Sequence, residues 1–198
     1  MQVHVLASGS TGNAVFVKMG RTKLLIDAGI SATRIRRGLA AENVDIRGID
    51  GVLVTHEHRD HVNGLPMLGK KYKLDTYTRP ATWRALGYQE ALPPTGHELP
   101  ASLDIGQVKI EPFGISHDAA DPVGFTLYYR DFKCSVATDL GFVTASVKRA
   151  VSLSDVLVLE ANHDVDMLKN GSYPWFLKQR ILSNRGHLSN SDAGWILS

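Results

Sequence analysis

Three histidines and an aspartate fall within the six residues His56-Glu57-His58-Arg59-Asp60-His61. Imidazole and carboxylate groups are preferred protein ligands of zinc and of similar divalent ions. In an extended segment successive side chains alternate in direction, so His56 and His58 would face one way and Glu57 the other. If the chain then turns into a helix, Asp60 and His61 can face a second position. The spacing therefore predicts a loop that feeds two metal ions, and the alternative is an exposed polar loop.

Short apolar runs predict the elements that position this segment. A buried strand at Gly51–Val54 delivers it, and Ser31 is the expected N-cap of a helix that runs to Ala41. Prolines and a glycine between Pro93 and Pro100 predict a loop. The other elements expected in the first half are strands at 3–7, 14–18, 23–29 and 74–78 and helices at 62–68 and 80–86.

The second half alternates strands and helices. Strands are expected at 108–113, 124–129, 133–138 and 155–160, and helices at 145–152, 174–182 and from Asn190 to the end. Strands come first as meanders and then alternate with helices, which predicts an α/β sandwich of two sheets between helical layers.

Composition excludes several classes of protein. Hydrophobic residues make up 43% and charged residues 21% of the 198 residues, as in a soluble globular domain. The single Cys134 excludes a disulfide within the chain and fits a reducing cytoplasm, and we interpret it as a buried strand residue rather than a nucleophile. No apolar run approaches membrane-spanning length, so we expect a cytoplasmic protein without membrane association. The oligomeric state stays open, with a homodimer as one alternative.

Net charge gives only a weak indication of the substrate. The formal charge is +2, and positive charge is concentrated in the runs Arg34–Arg37 and Lys70–Lys73. Solvated helix faces account for such runs, and contact with nucleic acid is the alternative.

The His-x-His-x-Asp-His segment resembles the metal-binding signature of the metallo-β-lactamase superfamily, whose fold is an αββα sandwich. The resemblance covers essentially the whole chain and implies a third histidine ligand, His117, and a bridging carboxylate, Asp139. It also implies that Asp27 orients the metal loop from behind the ligands. The first metal site would then hold His56, His58, His117 and Asp139, and the second would hold Asp60, His61 and Asp139.

One metal-ligating residue of the family's pattern is not found in this sequence. The family's last histidine lies on a final strand near the C-terminus, and no histidine follows His187. Together with an ending in mid-helix at Trp195–Ser198, this suggests a single domain, 1–198, that lacks its C-terminal strand or strands. A divergent enzyme with a weakened second site is the alternative. We expect near-full occupancy of the first metal site and weak or absent occupancy of the second.

Further stretches narrow the resemblance to one branch. Leu6–Asn13, Leu159–Asp164 and Arg185–Asn190 resemble the YycJ-like (WalJ-like) branch, regarded as cytoplasmic 5′-to-3′ exonucleases on DNA and related to tRNase Z and PhnP. The resemblance implies a phosphodiesterase that uses two divalent ions, zinc or manganese, and that acts on nucleic acid, DNA more than RNA.

In tRNase Z-like enzymes a glutamate after the bridging aspartate orients a histidine that assists the leaving group. Glu160 and His187 occupy the matching places, which implies an orienting carboxylate and a general acid. His163 and Asp164 follow the same strand, and either contact with metal or substrate or a structural role fits them.

Two-metal chemistry gives Asp60 a second role, because its carboxylate could orient the bridging hydroxide. Ser8 and Asn13 flank the two glycines of a predicted turn, Gly9 and Gly12, where backbone amides could approach a phosphate. A plain hairpin turn explains the same residues equally well.

Other functions on this scaffold stay open. They are RNA processing, hydrolysis of a small cyclic phosphodiester, hydrolysis of a thioester, lactone or β-lactam, and a non-catalytic module with structural metal. The pair Glu160 and His187 and the lack of an export signal favour phosphoesters.

Overall fold

A computed structural model describes residues 1–197, and Ser198 lies outside the described residues. The strands are β1 (Gln2–Ala7), β2 (Ala14–Met19), β3 (Thr22–Ile26), β4 (Gly51–Leu53), β5 (Thr76–Thr78), β6 (Gly96–Glu98), β7 (Leu103–Ile105), β8 (Val108–Gly114), β9 (Val123–Tyr129), β10 (Phe132–Ala137) and β11 (Val156–Leu159). The helices are α1 (Ala32–Ala41), α2 (Arg59–Val62), α3 (Leu65–Met67), α4 (Pro80–Ala85), α5 (Ala145–Val151), α6 (Val165–Asn170), α7 (Trp175–Ile181) and α8 (Asn190–Leu197). The expected helix to the chain end is therefore observed as far as Leu197.

The chain divides into two compact units. The first holds residues 1–110 and 119–121, and the second holds 111–118 and the chain from Pro122 onward. The first contains a sheet in the order β1-β2-β3-β4-β5-β6, in which β1, β2 and β3 pair antiparallel and β3 to β6 pair parallel. Parallel neighbours end at the same edge, so Asp27 after β3 and Thr55 after β4 meet there.

An apolar cluster holds this sheet against α1. Ile35 and Leu39 of α1 are fully buried with Phe16, Leu25 and Val52 of the strands. The Ser31 side chain accepts a hydrogen bond from the Arg34 amide at 3.3 Å, so the predicted N-cap is confirmed. A cap of this kind stabilises a helix by about 1 kcal/mol.

The second unit contains β11, β10 and β9, in that order, and then β8 from Glu111 onward. β10 pairs antiparallel with β9 and parallel with β11, with Ala137 opposite Leu159. Asp139 and Glu160 follow these paired ends, so they leave the sheet at one edge. Cys134 is fully buried in β10, which confirms its interpretation as a core strand residue.

Two expectations for the first unit are wrong. The expected loop between Pro93 and Pro100 contains β6, which pairs parallel with β5 and whose His97 ring stacks on Tyr77 at 4.8 Å. The expected helix at 62–68 is broken, because Gly64 donates its amide to the Ala28 carbonyl at 2.7 Å, between the end of α2 and the start of α3.

Two further elements, β7 and α6, were not expected. The Asp164 carboxylate accepts a hydrogen bond from the Met167 amide at 2.9 Å and so begins α6. Within residues 1–197, no helix combines the length and the apolar character that crossing a membrane requires.

Candidate metal centre

The segment from His56 to His61 leaves the end of β4 and enters α2. The His56 Nε2 and His58 Nδ1 atoms lie 3.1 Å apart. Two ligands of one tetrahedral zinc ion are about 3.3 Å apart when the Zn–N bonds are about 2.0–2.1 Å. The two imidazoles therefore fit a shared cation, and the donor set suits zinc and similar ions.

Thr55 fixes the tautomer of His56. Its hydroxyl oxygen lies 2.9 Å from His56 Nδ1 and donates to an Asp27 carboxylate oxygen, also at 2.9 Å. With the Nδ1 proton on the Thr55 side, the basic nitrogen of His56 is Nε2, which faces His58. The only sequence signal for this role of Thr55 is a hydroxyl directly before the first histidine.

Asp27 fixes His61 in the same way. Its carboxylate lies 2.7 Å from His61 Nδ1 and accepts the Thr55 amide at 2.8 Å. Asp27 is 2% exposed, and His61 is fully buried. This is the contact that an orienting role for Asp27 requires, and it leaves His61 Nε2 as the basic nitrogen.

Asp60 and His61 face one position. The Asp60 Oδ2 and His61 Nε2 atoms lie 3.7 Å apart, and the Asp60 side chain is 32% exposed. The Asn13 amide donates to the Asp60 carbonyl at 2.7 Å, and the Asn13 side-chain nitrogen lies 3.0 Å from His61 Nε2. Asn13 thus ties the β1–β2 turn to the metal loop, whereas Ser8 is exposed in that turn.

Glu57 points to a different partner from the imidazoles. Its carboxylate accepts a hydrogen bond from the Ala120 amide at 2.8 Å. This contact holds the short segment 119–121 within the first unit.

The second unit gathers Asp139, Glu160 and His187, whose ligand atoms all lie within 4.8 Å of one another. His187 Nδ1 is 2.7 Å from a Glu160 oxygen and 3.4 Å from an Asp139 oxygen. The other Glu160 oxygen accepts the amides of Leu140 at 2.7 Å and Leu188 at 3.1 Å. Glu160 is therefore held by backbone donors while it orients His187.

These carboxylates control the protonation of His187. Burial alone would lower the pKa of His187, but hydrogen bonds and charges from Asp139 and Glu160 outweigh burial and raise the pKa to about 10. His187 is therefore protonated at neutral pH and can give up a proton.

The pKa of His117 is lowered, in contrast to that of His187. His117 is 3% exposed, and burial is the main cause that lowers its pKa. Its Nδ1 lies 3.1 Å from the Gly186 carbonyl oxygen, so the neutral ring donates there and Nε2 is its basic nitrogen. A neutral imidazole with one nitrogen committed to a carbonyl is the usual form of a metal ligand.

The side chains of His163 and Asp164 lie in different surroundings. Asp164 is exposed and caps α6, which fits a structural role. Neither ring nitrogen of His163 has a hydrogen-bond partner within the described chain, and burial lowers the pKa of this side chain. His163 and His187 line one cavity of about 530 Å³ in the second unit.

The sequence is similar to known proteins over most of its length. The family described as "Beta-lactamase superfamily domain" matches residues 22–197. The "Exodeoxyribonuclease YycJ" of Bacillus anthracis is 40% identical over 193 residues, which cover 96% of this chain and 73% of that protein.

Solved structures agree on the fold. The metallo-β-lactamase fold protein YhfI of Bacillus subtilis superposes with a TM-score of 0.76 at 18% identity, over 99% of this chain and 80% of that one. Human tRNase Z, short form, superposes with a TM-score of 0.71 at 19% identity, over 99% and 87% of the two chains. The expected fold class and the resemblance to the YycJ-like branch are thus confirmed, and the chain belongs to the metallo-β-lactamase superfamily of metal-dependent hydrolases.

Proposed function

We propose that this protein is a 5′-to-3′ exonuclease that hydrolyses DNA phosphodiesters. The observation that carries the proposal is the contact of 2.7 Å between Glu160 and His187, which supplies a proton donor beside the carboxylate of Asp139. The leaving oxygen of a phosphodiester needs such a donor. The 40% identity to a protein named an exodeoxyribonuclease supports DNA as the substrate.

We propose two groups of ligands for zinc or manganese. His56, His58, His117 and Asp139 would hold the first ion, and Asp60, His61 and Asp139 the second. When bound, a pair of divalent ions lowers the pKa of a shared water and polarises the phosphoryl oxygens. The second group has one ligand fewer, so we expect one tightly held ion per chain and a weakly held second ion. Metal analysis after dialysis that finds two tightly held ions per chain would contradict this expectation.

The chain's own residues perform the remaining steps. Asp60 accepts a hydrogen bond from the attacking water, and Asp27 keeps His61 in the required tautomer. His187 donates its proton to the leaving oxygen, while Glu160 holds the ring and compensates its charge. The Asp60 side chain is 32% exposed, which supports its access to water.

The direct test uses the purified protein with zinc or manganese and 5′-labelled single strands of DNA and RNA. We expect the labelled 5′ mononucleotide to be released from DNA in the first cut, without shortened labelled strands, and to be released more slowly from RNA. Faster release from RNA, or internal cuts, would reassign the substrate or the mode of cleavage. Hydrolysis of nitrocefin or of a thioester, without hydrolysis of a phosphodiester dye, would overturn the phosphodiesterase proposal.

Asp60→Ala tests the two-ion arrangement separately. We expect this variant to lose turnover and to retain one bound ion, because the first group of ligands is intact. Unchanged turnover would rule out a role for Asp60 and for a second ion.

A further inference from the structure

The basic run Lys70–Lys73 borders a cavity of about 350 Å³ within the first unit. Apolar and aromatic side chains form most of the wall, among them Leu65, Trp83, Leu86 and Tyr88. Lys70 and Lys73 supply the charged groups, and no carboxylate belongs to the lining among residues 1–197. An apolar cavity with only positive charge at its wall selects a ligand that is flat or apolar in one part and anionic in another.

The cavity lies beside the metal loop. Val62, the last residue of α2, lines the cavity, and it directly follows His61, which contacts Asp27. One short helix therefore presents a candidate metal ligand and, at the next residue, part of the cavity wall.

The aromatic wall is fixed before any ligand arrives. Trp83 is 2% exposed, and its ring nitrogen donates to the His97 carbonyl at 2.9 Å. The Tyr88 ring meets the Trp83 ring edge-on at 5.4 Å between centroids. Side chains held in this way lose little conformational entropy when a ligand binds.

The three lysines of the run differ in their surroundings. The Lys71 ammonium lies 5.3 Å from the centre of the Tyr72 ring and does not line the cavity. Lys70 and Lys73 are exposed and line it. Lys73 has a φ of 59°, in the left-handed region that favours glycine. Lys73 ends the helical segment Leu68–Tyr72, a position where the left-handed conformation is common.

We propose that this cavity is a nucleotide subsite for the single-stranded substrate. One base enters the apolar cavity beside Trp83 and Tyr88, and Lys70 and Lys73 bind the neighbouring phosphates. Aromatic walls combined with positive charge along the backbone are the usual means of holding single strands without sequence preference. The subsite rests on the proposed nuclease function and adds a route for the strand beside the metal loop.

The lysines are tested by DNA binding without catalysis. The full chain is stripped of metal with EDTA, and anisotropy of a fluorescent oligothymidylate gives Kd at several salt concentrations. We expect Lys70→Ala/Lys73→Ala to raise Kd about tenfold. We also expect the slope of log K against log salt to fall by about 1.4, since each phosphate contact on a single strand contributes about 0.7. Lys71→Ala is the matched control and should change Kd less than about twofold. Equal Kd values for the wild type, the double variant and Lys71→Ala would overturn the subsite.

The cavity itself is tested by filling it. Leu86→Trp leaves the charge unchanged and should raise Kd about fivefold, because the base loses its space. Circular dichroism and the urea midpoint verify that each variant is folded. If Leu86→Trp does not fold, Tyr88→Ala is used instead, because it removes an aromatic part of the cavity wall. Weaker binding in the lysine variant without any effect of a folded cavity variant would indicate surface attraction and overturn the subsite.

Wild-type activity separates the two proposals. If the wild-type protein with metal degrades DNA, and the variants bind as it does, the subsite is wrong and the nuclease function stands. If the wild-type protein hydrolyses neither DNA nor a phosphodiester dye, the nuclease function is wrong, and the subsite falls with it.

Discussion

The Asp27 carboxylate lies 2.7 Å from the Nδ1 atom of His61, and both side chains are buried. The amide and hydroxyl of Thr55 donate to the same carboxylate, so its position is set by the end of β4 as well as by β3. The direction of a candidate metal ligand is thus fixed by the two central strands of the sheet. The ring of His61 therefore needs no reorientation when a cation binds, whereas the Asn13 side-chain nitrogen, 3.0 Å from His61 Nε2, must move aside.

Asp27→Asn should weaken metal binding by about 10–100-fold, the usual effect of losing a carboxylate behind a ligating histidine. Asparagine is the suitable replacement because Asp27 has a φ of 61°, which asparagine tolerates. Competition with a fluorescent chelator measures the affinity, and Asp131→Asn, at an exposed turn, is the control. Equal affinity in the two variants would contradict the orienting role of Asp27.

Gly29→Ala should destabilise the first unit and displace the metal loop. A Cβ atom at Gly29 would overlap the Asp60 carbonyl, which accepts the Asn13 amide. Overpacking of this kind costs about 1–3 kcal/mol. Urea unfolding measures the loss, and Gly48→Ala is the control, because its nearest neighbour, Lys23 Nζ, would be 3.8 Å away. Similar stability of both variants would disprove the close approach.

Glu160→Gln should lower the pKa of His187 below about 10, because the variant loses one of the two carboxylates that raise it. NMR titration of the metal-free protein reports this pKa. A raised pKa stabilises the fold fully below 6.5, the ordinary value, and this stabilisation is lost as the pH rises through about 10. The wild-type protein should therefore lose more stability than Glu160→Gln over this range.

The same variant should alter the pH–rate profile. A general acid must be protonated, so activity falls when the pH exceeds the pKa of His187. In Glu160→Gln this fall should begin at lower pH, together with a lower kcat. A loss of kcat with an unchanged profile would assign Glu160 a structural role only.

Cys134 should be inert in the folded protein. Burial raises the pKa of its thiol from 9.0 to about 11, so little reactive thiolate forms at neutral pH. Ellman's reagent should react with the thiol only after unfolding in guanidinium. Between pH 9.0 and about 11 the unfolded chain releases this proton and the folded chain retains it, so stability should fall as the pH rises. Rapid reaction of the native protein would contradict the burial of Cys134.

Local signals predicted much of this molecule. The contact between His56 and His58 and the cap at Ser31 depend on neighbours within a few residues, and the structure contains both. Periodicity also located most strands, because each buries alternate or continuous apolar residues.

Contacts between distant segments could not be predicted in this way. Asn13 and Asp60 are 47 residues apart, and no periodic pattern marks the bond between them. The strand Gly96–Glu98 is short and lies among prolines, so turn signals concealed it.

One carboxylate, that of Glu160, accepts amides from both Leu140 and Leu188. Leu140, which follows Asp139, and Leu188, which follows His187, therefore donate to the same carboxylate oxygen. The turn between α6 and α7, around Gly171–Pro174, contains neither of these amides. Insertions in the Tyr173–Pro174 part of that turn would therefore leave the two hydrogen bonds that hold Leu140 and Leu188 in place.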